Sequence, residues 1–161
     1  MSRLDKTLYY ARKQIEHSGV YVWSGQGQKL AKMTLIELAA MENSAENAGR
    51  VERFVYNHRK QFDKHTKVYD CSGLICCALI YGGVLPKNSD FTAQGLYNTF
   101  RNVSINNRKA GDLIFKESSG AITHVGIVKD LATVIECKGR EYGVVESVID
   151  GSWTKAARPE Y

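Results

Sequence analysis

The sequence predicts an α+β fold, with helices in the first part of the chain and a small antiparallel sheet in the second. Apolar residues recur every three or four positions in the first hundred residues, which is typical of helices. Later runs are short and rich in Val and Ile, which is typical of strands. Only a few residues separate those runs, and parallel strands need a connection of about a dozen residues or more, so antiparallel pairing is favoured.

The first predicted helix covers about residues 2–18, and its apolar residues have helical spacing: Leu4, Leu8, Ala11 and Ile15. A short β-prone run, VYVW, follows and leads into the glycine-bearing loop SGQGQ. Helical patterns resume at Thr34 and again from Val51 to about Asp63. This helical segment, about residues 28–69, is predicted either to cap one end of a cleft or to pack on the core.

The segment CSGLICCALIYGG predicts a buried helix that starts beside Asp70 and ends at Gly82 and Gly83. A looser helical stretch, Asp90 to Phe100, precedes the predicted turn RNVSINNRKAGD. Four strand patterns then follow: DLIFK, THVGIVK, ATVIECK and YGVVESV. We expect one domain over residues 1–161, with only the last few residues frayed.

The composition is that of a globular protein, with 43% hydrophobic and 24% charged residues among 161. No apolar run approaches the roughly 18 residues that cross a bilayer, and the first residues lack the apolar core of a signal peptide. We expect synthesis in the cytoplasm without an export signal. The net charge of +5 would attract any polyanion. Because no nucleic-acid motif accompanies this charge, we expect no nucleic-acid partner. We also expect no stable membrane association, and we expect the protein to be a monomer.

The four cysteines do not have the spacing of a zinc site. Cys71, Cys76 and Cys77 form the pattern CxxxxCC, and Cys137 is remote from them. Cys76 and Cys77 lie in the apolar run LICCALI, where small buried thiols are common. We expect free thiols, as in a reducing cytosol, and no metal or cofactor.

Cys71 is a candidate nucleophile because it lies in the first turn of the predicted buried helix. A thiol attacks as its thiolate, and helix amides and the helix dipole near the sulfur lower a thiol pKa. The same amides could donate hydrogen bonds to an oxyanion. Ser72 and Gly73 are small enough to let a substrate approach. The alternative interpretation is an ordinary buried cysteine.

His124 and Glu136 are candidates for the base and for the residue that orients it. His124 begins the alternating strand HVGIV, and Glu136 ends ATVIE twelve residues later. Pairing of the two strands could bring the carboxylate to the far nitrogen of the ring, which would fix its tautomer. The alternative interpretation of His124 is a structural histidine, and that of Glu136 is a solvated charge at the end of a strand.

The stretches DCSGLICCAL, AGDLIF and HVGIV, in this order and spacing, resemble the NlpC family of cell-wall cysteine peptidases. The resemblance implies a papain-like fold with Cys71 as nucleophile, His124 as base and Glu136 as the orienting residue, a position that is often histidine in the family. VYVWSGQG resembles the aromatic segment of the family, so Tyr21 or Trp23 is expected to shape the substrate cleft or to pack in the core. Asp70 and Ser72, beside the nucleophile, are expected to bind substrate.

The resemblance also implies the substrate. A peptidoglycan hydrolase would cleave stem peptides, typically between the γ-carboxyl of D-glutamate and the following diamino acid. The alternatives are a papain-like amidase or acyltransferase with another acyl substrate, and a wall-binding module without turnover. The helical segment before Asp70 resembles phage-encoded and prophage-encoded members, so we expect a phage or prophage lysin that acts at the bacterial cell wall.

Overall fold

The computed structural model describes residues 1–161, which form two sheets with five helices around them, confirming the α+β prediction. The helices are α1 Arg3–Glu16, α2 Leu35–Met41, α3 Ala45–His58, α4 Cys71–Tyr81 and α5 Ala93–Thr99. The strands are β1 Val20–Tyr21, β2 Gln26–Lys29, β3 Lys67–Tyr69, β4 Arg101–Val103, β5 Leu113–Ser118, β6 Ala121–Val128, β7 Thr133–Gly139, β8 Gly143–Val148 and β9 Lys155–Arg158.

The larger sheet has six strands in the order β4-β9-β5-β6-β7-β8, and all its pairs are antiparallel. The short connections between β5, β6, β7 and β8 explain this pairing. The smaller sheet has the order β1-β3-β2, in which β1 runs parallel to β3. Helices and loops intervene between β1 and β3, and they give the chain the length that a parallel pair requires.

Helix α4 is the centre of the main core. Leu74, Ile75, Ala78 and Leu79 are fully buried there, between α1 on one side and the larger sheet on the other. A helix that is covered on several sides needs apolar residues all round, which explains the run LICCALI. All four cysteines are free, and Cys76 and Cys137 are buried. No helix of the structure is both long enough and apolar enough to cross a bilayer.

The segment 28–69 contains α2 and α3 and has a small core of its own. Leu38 and Val51, from these two helices, are buried against Val20, Val22 and Val68 of the smaller sheet and its flank. The segment therefore packs on the sheet that precedes Cys71. That it is an insertion within a single papain-like domain stays a prediction.

The sequence analysis missed two strands at the edge of the larger sheet. Residues 101–103, predicted as part of a turn, form β4, and residues 155–158, for which no strand was predicted, form β9, which pairs with both β4 and β5. Arg158 donates to both carboxylate oxygens of Asp112 at 2.7 Å, and the Tyr161 hydroxyl donates to the Gly111 carbonyl oxygen at 2.6 Å. These contacts hold the last residues against the sheet.

Candidate active site

Cys71 is the first residue of α4, and only Asp70 separates it from β3. Asp70 caps the helix, because its carboxylate accepts hydrogen bonds from the Gly73 amide at 2.7 Å and the Ser72 hydroxyl at 3.2 Å. The amides of Cys71 and Ser72, in the first helical turn, have no carbonyl partner within the helix. Two backbone donors thus lie beside the thiol, as the sequence predicted.

The aromatic segment VYVW is held beside the start of α4 by backbone contacts. The Val22 amide donates to the Tyr69 carbonyl oxygen at 2.9 Å, and the Asp70 amide donates to the Gly25 carbonyl oxygen at 3.0 Å. A Cβ atom at position 73 would collide with that Gly25 carbonyl oxygen. Glycine in the DCSG motif therefore allows the loop after the aromatic segment to lie against the first turn of α4.

His124 and Glu136 form a short, buried hydrogen bond. The ring Nε2 and the carboxylate Oε2 are 2.6 Å apart, the His124 side chain is 17% exposed, and that of Glu136 is 2% exposed. Glu136 lies within β7 and not at a solvated strand end, which was the alternative interpretation. Because Nε2 is engaged, Nδ1 is the ring nitrogen free to accept a proton. The backbone amide of Val125, next to His124, lies close enough to Cys71 to lower its pKa.

Burial raises the pKa of the Cys71 thiol to about 11, and the negative charge of Asp70 adds to this. The backbone amides of Val125, Ser72 and Cys71 act in the opposite direction but do not outweigh burial. The sequence predicts a pKa lowered by the helix, and the structure shows the helix contribution overcome by desolvation. The resting thiol is therefore neutral near pH 7, and it needs a base at the moment of attack.

Burial also tends to raise the pKa of Glu136, but its partners reverse the effect. The hydrogen bonds from His124 and Ser147, together with the positive charges of His124 and Lys116, bring the Glu136 pKa below its ordinary value. Glu136 is consequently a carboxylate at neutral pH. A fixed carboxylate at this distance holds the His124 ring in one orientation.

Trp153 lies beside the ring of His124, and Lys116 lies over the ring of Trp153; the sequence analysis did not identify either residue. The Trp153 ring, which is buried, lies 5.5 Å from the imidazole between ring centres. The Lys116 ammonium lies 4.6 Å from the centre of the Trp153 ring. Lys116 pairs directly with His124 across β5 and β6, and this register brings the ammonium to the pair. No local motif marks these residues, because their proximity arises from strand pairing.

A cleft of about 600 Å³ opens beside Cys71. Its lining comes from four parts of the chain: Tyr21, Trp23, Ser24, Gln26, Asp70, Cys71, Ser72, Asp90, Phe91, Thr92, Ala93, Gln94, Ile122 and Thr123. The four predicted substrate-binding residues all line it. His124 follows Thr123 in β6, and neither His124 nor Glu136 is part of the lining. The cleft combines apolar surface with a few converging polar groups, as small-molecule and peptide sites do.

The segment before α5 contributes cleft residues that the sequence analysis did not identify. The Gln26 side-chain amide donates to the Asp90 carboxylate at 3.0 Å, and the Ile122 amide donates to the Gln94 side-chain oxygen at 3.1 Å. These contacts tie α5 and its preceding loop to both sheets. The sequence shows this region only as a looser helical pattern, without a motif.

A second groove, of about 640 Å³, lies between α2 and α3 on another part of the surface. Its lining is mostly apolar and includes Leu30, Met33, Leu35, Val55 and Phe62. None of the predicted site residues faces it. The candidate site is therefore the cleft at Cys71, because it is lined by the candidate nucleophile and by Thr123, the residue before His124.

Comparisons with known proteins show the family of the chain and the proteins that share its fold. Residues 52–158 match the NlpC/P60 family model, whereas no curated protein sequence matches the chain. The fold resembles that of the NlpC/p60 domain of the peptidoglycan hydrolase SagA, with a TM-score of 0.57, 19% identity and coverage of 96% of this chain and 97% of that one. It also resembles the P60 domain of an antigen from Mycobacterium avium subspecies paratuberculosis, with a TM-score of 0.60, 19% identity and coverage of 98% of each chain.

A third similar structure is RipD from Mycobacterium tuberculosis, a non-catalytic NlpC/p60 domain protein adapted to peptidoglycan binding. Here the TM-score is 0.61, with 16% identity and coverage of 98% of each chain. At these identities the similarity concerns the fold. The family model covers about two thirds of the sequence, including Cys71, His124 and Glu136, and the chain belongs to the NlpC/P60 family.

Proposed function

We propose that the protein is a peptidoglycan hydrolase, a cysteine endopeptidase that cleaves cell-wall stem peptides. The observation that carries the proposal is the buried 2.6 Å contact between His124 and Glu136. Thr123 and Val125, the neighbours of His124 in the chain, respectively line the cleft that contains Cys71 and influence the Cys71 thiol through a backbone amide. Membership of the NlpC/P60 family supports the substrate class. A binding module has no use for an oriented base beside a thiol.

In this mechanism the Cys71 thiol loses its proton to Nδ1 of His124 as the sulfur attacks the scissile carbonyl carbon. The backbone amides of Cys71 and Ser72 donate to the developing oxyanion. His124 then returns the proton to the leaving amine, and the carboxylate of Glu136 stabilises the intermediate imidazolium. Water, deprotonated by the same histidine, attacks the thioester and releases the acid.

The proposed bond joins the γ-carboxyl of D-glutamate to the following diamino acid, and this choice rests on the sequence resemblance. Tyr21, Trp23, Asp70 and Ser72 are proposed to contact the stem peptide, because they line the cleft on either side of the nucleophile. The role of a phage or prophage lysin also rests on the resemblance alone. To test this role, the protein would be expressed in bacteria together with a pore-forming protein. We expect the cells to lyse with the wild type and not with Cys71→Ala.

The second candidate function is peptidoglycan binding without turnover, which the fold similarity to RipD favours. A Cys71 thiol that is neutral at rest is compatible with a protein that binds peptidoglycan and does not cleave it. The intact constellation of thiol, imidazole and carboxylate favours catalysis. A test must therefore separate binding from cleavage.

The test is mass spectrometry of purified peptidoglycan after incubation with the wild type, Cys71→Ala and Cys77→Ala. Cys77 lies on the same helix, is half-buried and does not line the cleft, so its variant is the matched control. We expect new amine and carboxyl ends between D-glutamate and the diamino acid with the wild type and Cys77→Ala only. Wall binding without new ends would identify the binding module, and new ends at another bond would point to a different amidase specificity.

A further inference from the structure

We propose that Glu42, from the helical segment 28–69, is a positioning residue that holds the aromatic wall of the cleft, and that it acts together with Arg140. The inference rests on the proposed function, because it assigns a role in substrate binding to that same cleft. Neither residue belongs to the constellation at Cys71, and neither lines the cleft. The proposal assigns a substrate-positioning role to the segment.

Glu42 follows α2, and its side chain is completely buried. One carboxylate oxygen accepts the backbone amide of Trp23 at 2.9 Å. The other accepts Nε and Nη2 of Arg140 at 3.1 and 2.6 Å. Both oxygens thus have charged or polar partners, as a buried carboxylate requires.

Arg140 extends the contact to a second aromatic residue. It lies in the turn between β7 and β8, four positions after Glu136, and its side chain is 11% exposed. Its guanidinium group lies 5.0 Å from the centre of the Tyr21 ring. One buried carboxylate therefore fixes the backbone of Trp23 directly and supports the ring of Tyr21 through Arg140.

Trp23 depends on this anchor because it has little core packing of its own. It is 47% exposed at the edge of the cleft, and the next residue, Ser24, has a φ of 62°, in the left-handed region. An exposed indole on a turn of this kind needs a fixed backbone to present a constant surface to substrate. The Glu42 carboxylate supplies that fixation from behind.

A neighbouring ion pair provides a matched comparison. Arg50 of α3 donates to Glu141 through two hydrogen bonds, and this pair also joins the segment 28–69 to the turn between β7 and β8. Its side chains are 34% and 51% exposed, and it contacts no residue of the cleft wall. Exposed pairs of this kind contribute little. Loss of the Arg50 pair should therefore leave the cleft intact.

The experiment compares Glu42→Ala, Glu42→Gln and Glu141→Gln with the wild type, using a soluble stem-peptide fragment that contains the D-glutamyl–diamino acid bond. We expect Glu42→Ala to raise KM about tenfold or more, because a buried charge-assisted anchor is lost, with kcat within about threefold. Glu42→Gln, which retains an oxygen for the Trp23 amide, should give a smaller rise. Glu141→Gln should change KM less than twofold, about the limit for an exposed pair.

Two further readouts separate positioning from general destabilisation. Acrylamide quenching of tryptophan fluorescence reports mainly on Trp23, since the other tryptophan, Trp153, is buried. We expect a larger quenching constant in Glu42→Ala than in Glu141→Gln. The rate of Cys71 alkylation by iodoacetamide, a reagent too small to need the aromatic wall, should match the wild type. If Glu42→Ala fails to fold, Glu42→Gln combined with Arg140→Met removes both buried charges and serves for the same comparison.

Equal KM values for the Glu42 and Glu141 variants would overturn the proposal, and so would a fall in kcat with KM unchanged. An unchanged quenching constant in Glu42→Ala would also overturn it, since Trp23 would then be held by other contacts. If the wild type cleaves no stem peptide, the proposed function fails, while the quenching comparison still decides whether Glu42 anchors Trp23.

Discussion

Replacement of Glu136 by glutamine tests the central contact of the site. Glu136→Gln preserves the size of the side chain and an oxygen that can accept from His124, but it removes the negative charge. The contact is 2.6 Å long and both side chains are largely buried, so solvent screens it little. The charge matters most when His124 carries the proton of the thiol, and we therefore expect the loss mainly in the chemical step.

The magnitude follows from the type of contact. A hydrogen bond to a charged group contributes about 1.5–3 kcal/mol, which corresponds to a fall in kcat/KM of about 10-fold to 150-fold. KM should change little, because Glu136 does not line the cleft. The assay is the appearance of new amines from a soluble stem-peptide fragment between pH 4 and pH 10, with thermal unfolding of both proteins as the control.

The same variant has a predicted signature in stability. The folded-state pKa of Glu136 is lowered, so its ionised form stabilises the fold above the unfolded carboxyl pKa of about 4.3. That contribution is lost as the pH falls through the folded-state pKa. The melting-temperature difference between wild type and Glu136→Gln should therefore narrow below about pH 4. Activity within twofold of the wild type, or a difference independent of pH, would refute the role of Glu136 as the residue that orients His124.

Three further predictions follow from other features of the structure. Because burial raises the Cys71 pKa to about 11, alkylation of Cys71 by iodoacetamide should accelerate continuously from pH 7 to pH 10, and a plateau near pH 7 would indicate a preformed thiolate instead. Gly73→Ala should lower the free energy of unfolding by about 1–3 kcal/mol, because its Cβ collides with the Gly25 carbonyl oxygen; denaturant titration measures this, and an unchanged midpoint would contradict it. Binding to isolated walls should weaken as salt is raised, given the net charge of +5, and binding indifferent to ionic strength would exclude an electrostatic contribution.

Much of the local structure around the site was predictable from the sequence. Asp70 before an apolar run predicts a capped, buried helix, and α4 begins at Cys71 as expected. The alternating run HVGIV predicts the strand that carries His124. Helix caps and the periodicity of apolar residues depend on residues within a few positions of one another, so they can be predicted from the sequence alone.

The two strands at the edge of the larger sheet, β4 and β9, could not be predicted from the sequence, because they form by pairing between distant segments. β9 has only four residues, KAAR, with no alternation of large apolar side chains, and its partner β4 lies more than fifty positions earlier. Neither segment has the sequence pattern of a strand. Each is a strand because it pairs with the edge of the larger sheet, β9 with β5 and β4 with β9.

By itself, the sequence determined the fold class and the order of α1, α4 and the strands β5 to β8, and it predicted Cys71, His124 and Glu136 as the site residues. Only the tertiary structure decided how deeply Cys71 and Glu136 are buried and which residues support them. It shows that burial outweighs the helix dipole at Cys71 and that Glu136 is enclosed and not solvated. It also shows that Glu42 lies against Arg140, ninety-eight residues away. Desolvation and contacts between distant segments depend on the packing of the whole chain, whereas helix caps and strand periods depend on neighbours in sequence.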